Sequence, residues 1–187
     1  AKLETKFEVG YFVESEIEIM DLRKDLADNY DSAGWKLVYV LFEPDDGNEY
    51  IDADVDLLTE LRGFHGDLES NHNVVGTDGT FPSPSYEGPY VILRDAILRD
   101  SSFGDSHNLE VFQDGGVYVK DYNQDCNLSA AFMSLSQNNT IADALSGESW
   151  SDRVKHSVYL VDGKVVNLRN EIRVEATTSA ESDQVVT

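Results

Sequence analysis

The 187-residue sequence predicts an all-β fold, a jelly roll or related β-sandwich of about eight strands with one or two short surface helices. Three observations predict it. Apolar residues alternate with polar ones along several segments, the period-two pattern of a sheet that is dry on one face. Asp114-Gly115-Gly116 and Asp162-Gly163 interrupt that alternation with residues that tolerate positive φ, as tight hairpin turns require. Apolar residues make up 41% of the chain, enough to fill a core, so a formal charge of −22 decorates a folded surface and does not signal disorder.

Taken in order, Phe7, Val9, Tyr11, Val13, Ile17 and Ile19 occupy odd positions, with Glu8, Glu14, Glu16 and Glu18 between them, a long two-faced strand. From Asp21 the spacing of Leu22, Leu26 and Tyr30 changes to four, which predicts a short helix ended by Gly34. Lys36 to Phe42 is apolar nearly throughout and suits a central strand. After a turn at Pro44 to Asn48, Ile51, Ala53, Val55 and Leu57 alternate with Asp52, Asp54 and Asp56, predicting another strand. Gly63 to Gly88 reads as a long connection, and loops of that length usually carry function or meet a partner.

Tyr90 to Leu98 returns to strand, and Leu109 to Tyr122 forms a hairpin about Asp114-Gly115-Gly116. Leu128 to Leu135 is apolar on both faces and fits strand or helix equally. Thr140 to Trp150 predicts a short helix, with Thr140 as its cap and Gly147 near its end. Val158 to Ala176 then gives a hairpin turning at Asp162-Gly163, with a second turn at Asn170. One domain over 1–176 and a C-terminal tail over 177–187, mobile or docked on a neighbour, follow from the loss of core pattern beyond Ala176. No repeat of fixed period is present, which disfavours propellers and solenoids. An immunoglobulin-like sandwich competes, although its Cys pair and Cys-Trp spacing are missing.

The charge bounds function. Asp and Glu number 36 against 14 Lys and Arg, and the pI is near 4.2. No Lys/Arg cluster exists to hold phosphates, so direct nucleic-acid binding is not expected. Such a surface suits a halophilic protein: in ~1 M salt the Debye length falls to about 3 Å, and neighbouring carboxylates scarcely repel. No apolar run is long enough to span a bilayer, and the first residues lack the plan of a signal peptide. With a leading Ala of the kind left after removal of an initiator Met, synthesis in a cytoplasm without export is the expectation.

Candidate chemistry is sparse. Asp52, Asp54 and Asp56 would line one face of a strand about 7 Å apart, and this row is the one candidate metal site. The spelling resembles the start of a calcium loop, but Leu57 and Gly63 stand where such a loop needs Gly and Glu, and an ordinary acidic face explains it as well. His65 and His72 match no zinc spacing and read as loop residues; His107 and His156 are isolated. Cys126, the only cysteine, excludes an internal disulfide, and its acidic neighbours would raise its thiol pKa. Asn127-Leu128-Ser129 and Asn138-Asn139-Thr140 match glycosylation sequons at the frequency expected by chance. Trp35 and Trp150 read as core plugs near helix ends. No catalytic residue, cofactor motif or enzyme activity is expected.

The size, the acidic composition and the segments Phe7 to Ile19, Lys36 to Phe42, Leu109 to Tyr122 and Val158 to Ala176 together resemble the small major capsid proteins of icosahedral haloarchaeal viruses that enclose a membrane. No signature motif carries the likeness. The resemblance implies a single jelly roll in the virion shell, with other copies and a larger jelly-roll capsid protein as partners and an internal viral membrane close by. A decoration or tower protein of a halophilic virus, or a halophilic carbohydrate-binding β-sandwich, are the alternatives.

Overall fold

The computed structural model of the chain describes residues 2–6, 35–71, 86–144 and 146–175. The fold there is α+β, which corrects the all-β jelly roll: five helices accompany short strands. In order these are β1 (Lys2–Lys6), β2 (Trp35–Glu43), α1 (Val55–Ser70), β3 (Tyr86–Glu87), α2 (Pro89–Arg99), α3 (Ser101–Ser106), β4 (Leu109–Val111), β5 (Val117–Val119), α4 (Leu128–Ser136), α5 (Trp150–Ser157), β6 (Val158–Val161) and β7 (Lys164–Glu175). One sheet has the order β1-β2-β7-β3 with β6 also paired to β7, and β4 and β5 form a separate ribbon. The expected strand Phe7 to Ile19, the helix after Asp21, His72 and the tail lie outside the described residues.

Most described residues, 41–66 and 87–170, belong to one compact unit, and 35–40, 67–71, 86 and 171–175 belong to a second. In the second, Val38, Val40, Leu68, Tyr86, Ile172 and Val174 are buried. The first holds the larger core, in which Leu58, Leu61, Ile92, Leu93, Leu109, Leu128, Phe132, Leu135 and Leu168 are all but inaccessible. Each such side chain contributes about 1.5–3 kcal/mol through loss of apolar surface to water.

Three expected strands or loops are helices, each for a local reason. Ile51 to Leu57 does not continue as a strand: Asp54 Oδ1 accepts from the backbone N–H of Asp56 (2.9 Å) and Leu57 (3.3 Å), capping α1. Beyond it Leu57, Leu58, Leu61, His65 and Leu68 form a helical stripe, every one buried. That stripe carries α1 through Gly63 and Gly66, which face open space and cost about 1 kcal/mol each against Ala. The long connection expected from Gly63 is therefore helix as far as Ser70.

Tyr90 to Leu98 is likewise helical. Pro89 at the first turn fits a helix start, and buried Tyr90, Leu93, Ala96 and Ile97 recur at three- and four-residue steps. Leu128 to Leu135 resolves as α4, with Asn127 Oδ1 accepting from Ala130 N–H at 3.0 Å. The described residues from Thr140 to Ser149 form no helix, contrary to the helix expected over Thr140 to Trp150: Ile141 bridges Ser149 and Gly147 has positive φ. The real start lies later, where Ser149 and Asp152 form a capping box before α5.

Both hairpins are present. β4 and β5 pair antiparallel with Leu109 opposite Val119 and Val111 opposite Val117. β6 and β7 turn through Asp162 (φ 50°) and Gly163 (φ 76°), the paired positive values of the tightest hairpin turn. A register shift between Tyr159 and Leu160 brings Val165 and Leu168 to buried positions. Asn170 does not turn the chain: β7 runs through it, and the residue is only 5% exposed.

Candidate functional site

Burial of a polar group demands partners, so the places where charge enters the larger unit are where a site would form. Three such places stand out.

The first surrounds Asp52, Asp54 and Asp56. With Glu43, Asp45 and Glu60 they line an open groove of about 250 Å³ at the entry to α1. They do not form the row of a strand. Asp54 is engaged in capping, and Asp52 and Asp56 are exposed. Among the described residues no group of three or more His, Cys, Asp or Glu is arranged to hold a metal ion. The backbone holding this segment is firmly placed, with Ile51 N–H donating to Val165 O (2.8 Å) and Leu128 N–H to Ala53 O (2.9 Å).

The second is a groove of about 520 Å³ walled by the ends of α2 and α4, by α3 and by the loop after α4, with buried Trp150 among its lining. Its polar groups are largely engaged with one another. Ser102 Oγ donates to Asp100, Ser106 Oγ to Ser102 O, Thr140 Oγ1 to Asn138 Oδ1, and Arg99 to the Ala142 carbonyl. His107 bonds the Phe103 carbonyl through Nδ1 and stacks at 4.5 Å on that residue's ring. A groove whose hydrogen-bonding groups are satisfied internally has little to offer a polar ligand.

The third is an ionic cluster that no sequence pattern announced. Arg153, on α5, is 7% exposed. Its Nε donates to Glu87 Oε1 at 3.2 Å, and its Nη2 lies 3.0 and 3.1 Å from the two Glu87 oxygens and 2.8 Å from Asp95 Oδ2. The Trp150 ring centroid is 5.4 Å from the guanidinium carbon. One cation thus serves two carboxylates, from β3 and from α2. Gly88 makes room for this junction, since a Cβ there would stand 2.1 Å from Asn170 Oδ1. Among the described residues the buried Nδ2 of Asn170 has no hydrogen-bond partner.

The remaining chemistry-bearing residues are dispersed. His65 is buried, stacked at 4.6 Å on Tyr90, and its Nε2 accepts from Arg94 at 2.9 Å. His156 lies 3.8 Å from Glu148 on the surface. Cys126 is half-buried, and burial with the nearby Asp54 charge pushes its thiol up to about 11, well away from a reactive thiolate. Of the sequon asparagines, Asn127 caps α4 and Asn138 accepts from Thr140 N–H at 3.0 Å. Trp150 is buried, and Trp35 opens β2. Among the described residues no helix is long and apolar enough to cross a membrane.

Comparison with known proteins adds no identity: no family model, no curated protein and no solved structure matches this chain.

Proposed function

We propose that this chain is a structural protein of a high-salt setting that acts through contacts with other protein subunits, and in its narrower form a component of a virion. The jelly-roll shell architecture is withdrawn with the all-β fold, so the subunit envisaged has an α+β core. One observation carries the reading: Asp54, Asn127 and Ser149 are engaged in helix caps and Glu87, Asp95 and Arg153 in ion pairs, while several large apolar side chains stand at the surface. Phe112 is 56% exposed and Tyr122 76%, both close in sequence to the β4–β5 ribbon, and Phe112 packs edge-on against Tyr118 at 6.0 Å. Aromatic side chains presented this way are the usual anchors of protein interfaces. High salt would let so acidic a surface approach another, because screening removes the repulsion a charge of −22 creates.

Light scattering with negative-stain microscopy in multimolar salt tests this, alone and with the other proteins of a candidate virion. Growth in mass, reduced in a Phe112→Ser, Tyr122→Ser double variant, is expected. A chain that stays monomeric in every mixture would contradict it.

A further inference from the structure

We infer that Glu87, Asp95 and Arg153 form a proton-responsive latch that ties the β3–α2 junction to α5, firm with one proton on the carboxylate pair and weakened when that proton leaves. The geometry carries the inference. Two carboxylates converge on one guanidinium that is 7% exposed, so with both ionised the cluster holds one uncompensated negative charge. The two acids lie close because they share the nitrogen Nη2, at 3.0 Å from Glu87 Oε1 and 2.8 Å from Asp95 Oδ2. Like charges held together by a single cation favour keeping one proton.

The surroundings decide which acid keeps it. The charges acting on Glu87 come from Arg153 on α5, Asp95 on α2 and Glu148 in the loop before α5. On the β7 side, Asn170 is the residue against Gly88 and carries no charge. Loss of hydration pushes Glu87 up to about 7, against the attraction of Arg153 and its hydrogen bonds, with Asp95 and Glu148 adding repulsion. Water reaches 39% of the Glu87 side chain, which moderates the rise without reversing its direction.

The sign follows from linkage. A carboxyl that binds its proton more tightly when folded stabilises the fold fully below its ordinary value of 4.5, and that stabilisation is lost as pH rises through about 7. This opposes the usual behaviour of a paired carboxylate, which stabilises the fold as it ionises. Multimolar salt would leave the latch largely intact, since contacts of this length in a partly buried cluster are screened much less than exposed charges.

The test is a carbon-13 carboxyl titration of the full chain in multimolar salt, paired with melting curves of wild type and Glu87→Gln from pH 5 to 8.5. Glu87 should titrate at least one unit above an ordinary glutamate, and the stability of Glu87→Gln relative to wild type should grow as pH rises. Asp95→Asn should move the Glu87 midpoint down, because it removes the neighbouring anion and leaves Arg153 to Glu87 alone. A Glu87 midpoint at or below 4.5, or one unmoved by Asp95→Asn, would overturn the latch. The titration reads the intact wild type and does not depend on any variant's stability.

Discussion

The cluster at Arg153 and the groove beside Asp54 are made from the same side-chain chemistry and behave as opposites. At Arg153 the carboxylates of Glu87 and Asp95 are 39% and 36% exposed and share one buried guanidinium. At the groove, carboxylates from Glu43 to Glu60 face an open cleft, with Asp54 engaged in a backbone cap. The first arrangement makes stability depend on pH through a few specific contacts. The second makes it depend on ionic strength through many weak ones, because exposed charges interact only within a Debye length. Acidic residues in this protein therefore do two kinds of work, set by the number of water-facing sides each carboxylate keeps.

Five substitutions would break or sharpen that contrast. The largest effect is expected from Phe132→Ala, which empties a fully buried core position and should cost about 4 kcal/mol in denaturant unfolding, with little change across salt or pH. It sets the reference for an uncharged loss. Arg153→Ala should cost about 3 kcal/mol by leaving two carboxylates without their cation. Its penalty should be greater at pH 8 than at pH 5, where protonation relieves part of the repulsion. Equal penalties at the two pH values would remove the electrostatic account of the cluster.

Gly88→Ala, which forces a Cβ against Asn170, should cost about 2 kcal/mol, with a lowered melting temperature at every pH. Asp54→Ala should cost about 1 kcal/mol for the lost cap, and smallest is Asp52→Asn, which should stay within about 0.5 kcal/mol in high salt. At reduced salt Asp52→Asn should gain on wild type, as one repelling charge has gone. A loss at low salt would mean that Asp52 holds a specific contact and is no part of a diffuse field.

The parts of the fold that were legible in the sequence are those with local causes. Asp162-Gly163 names its own turn because both residues adopt positive φ, and the apolar run from Lys36 to Phe42 is strand as expected, although Val38, Val40 and Phe42 are buried on one face while Leu37, Tyr39 and Leu41 are only partly covered. The helices were hidden by segments that satisfy two periods at once. Ile51 to Leu57 alternates for seven residues, yet the Asp54 cap and the stripe from Leu57 to Leu68 decide for helix. Signals for two other helices were present: Pro89 at a helix start and Ser149 three residues before Asp152. The ionic cluster had no such signal. Arg153 lies 66 residues from Glu87 and 58 from Asp95, and only tertiary packing makes them neighbours.

Circular dichroism of the wild type, followed while salt is lowered from multimolar to millimolar at constant pH, tests the central claim most directly: the acidic surface is built for screening. The native α+β spectrum should be lost as salt falls and return when salt is restored. A full native spectrum retained at millimolar salt would contradict the account and with it the high-salt setting of the proposed function.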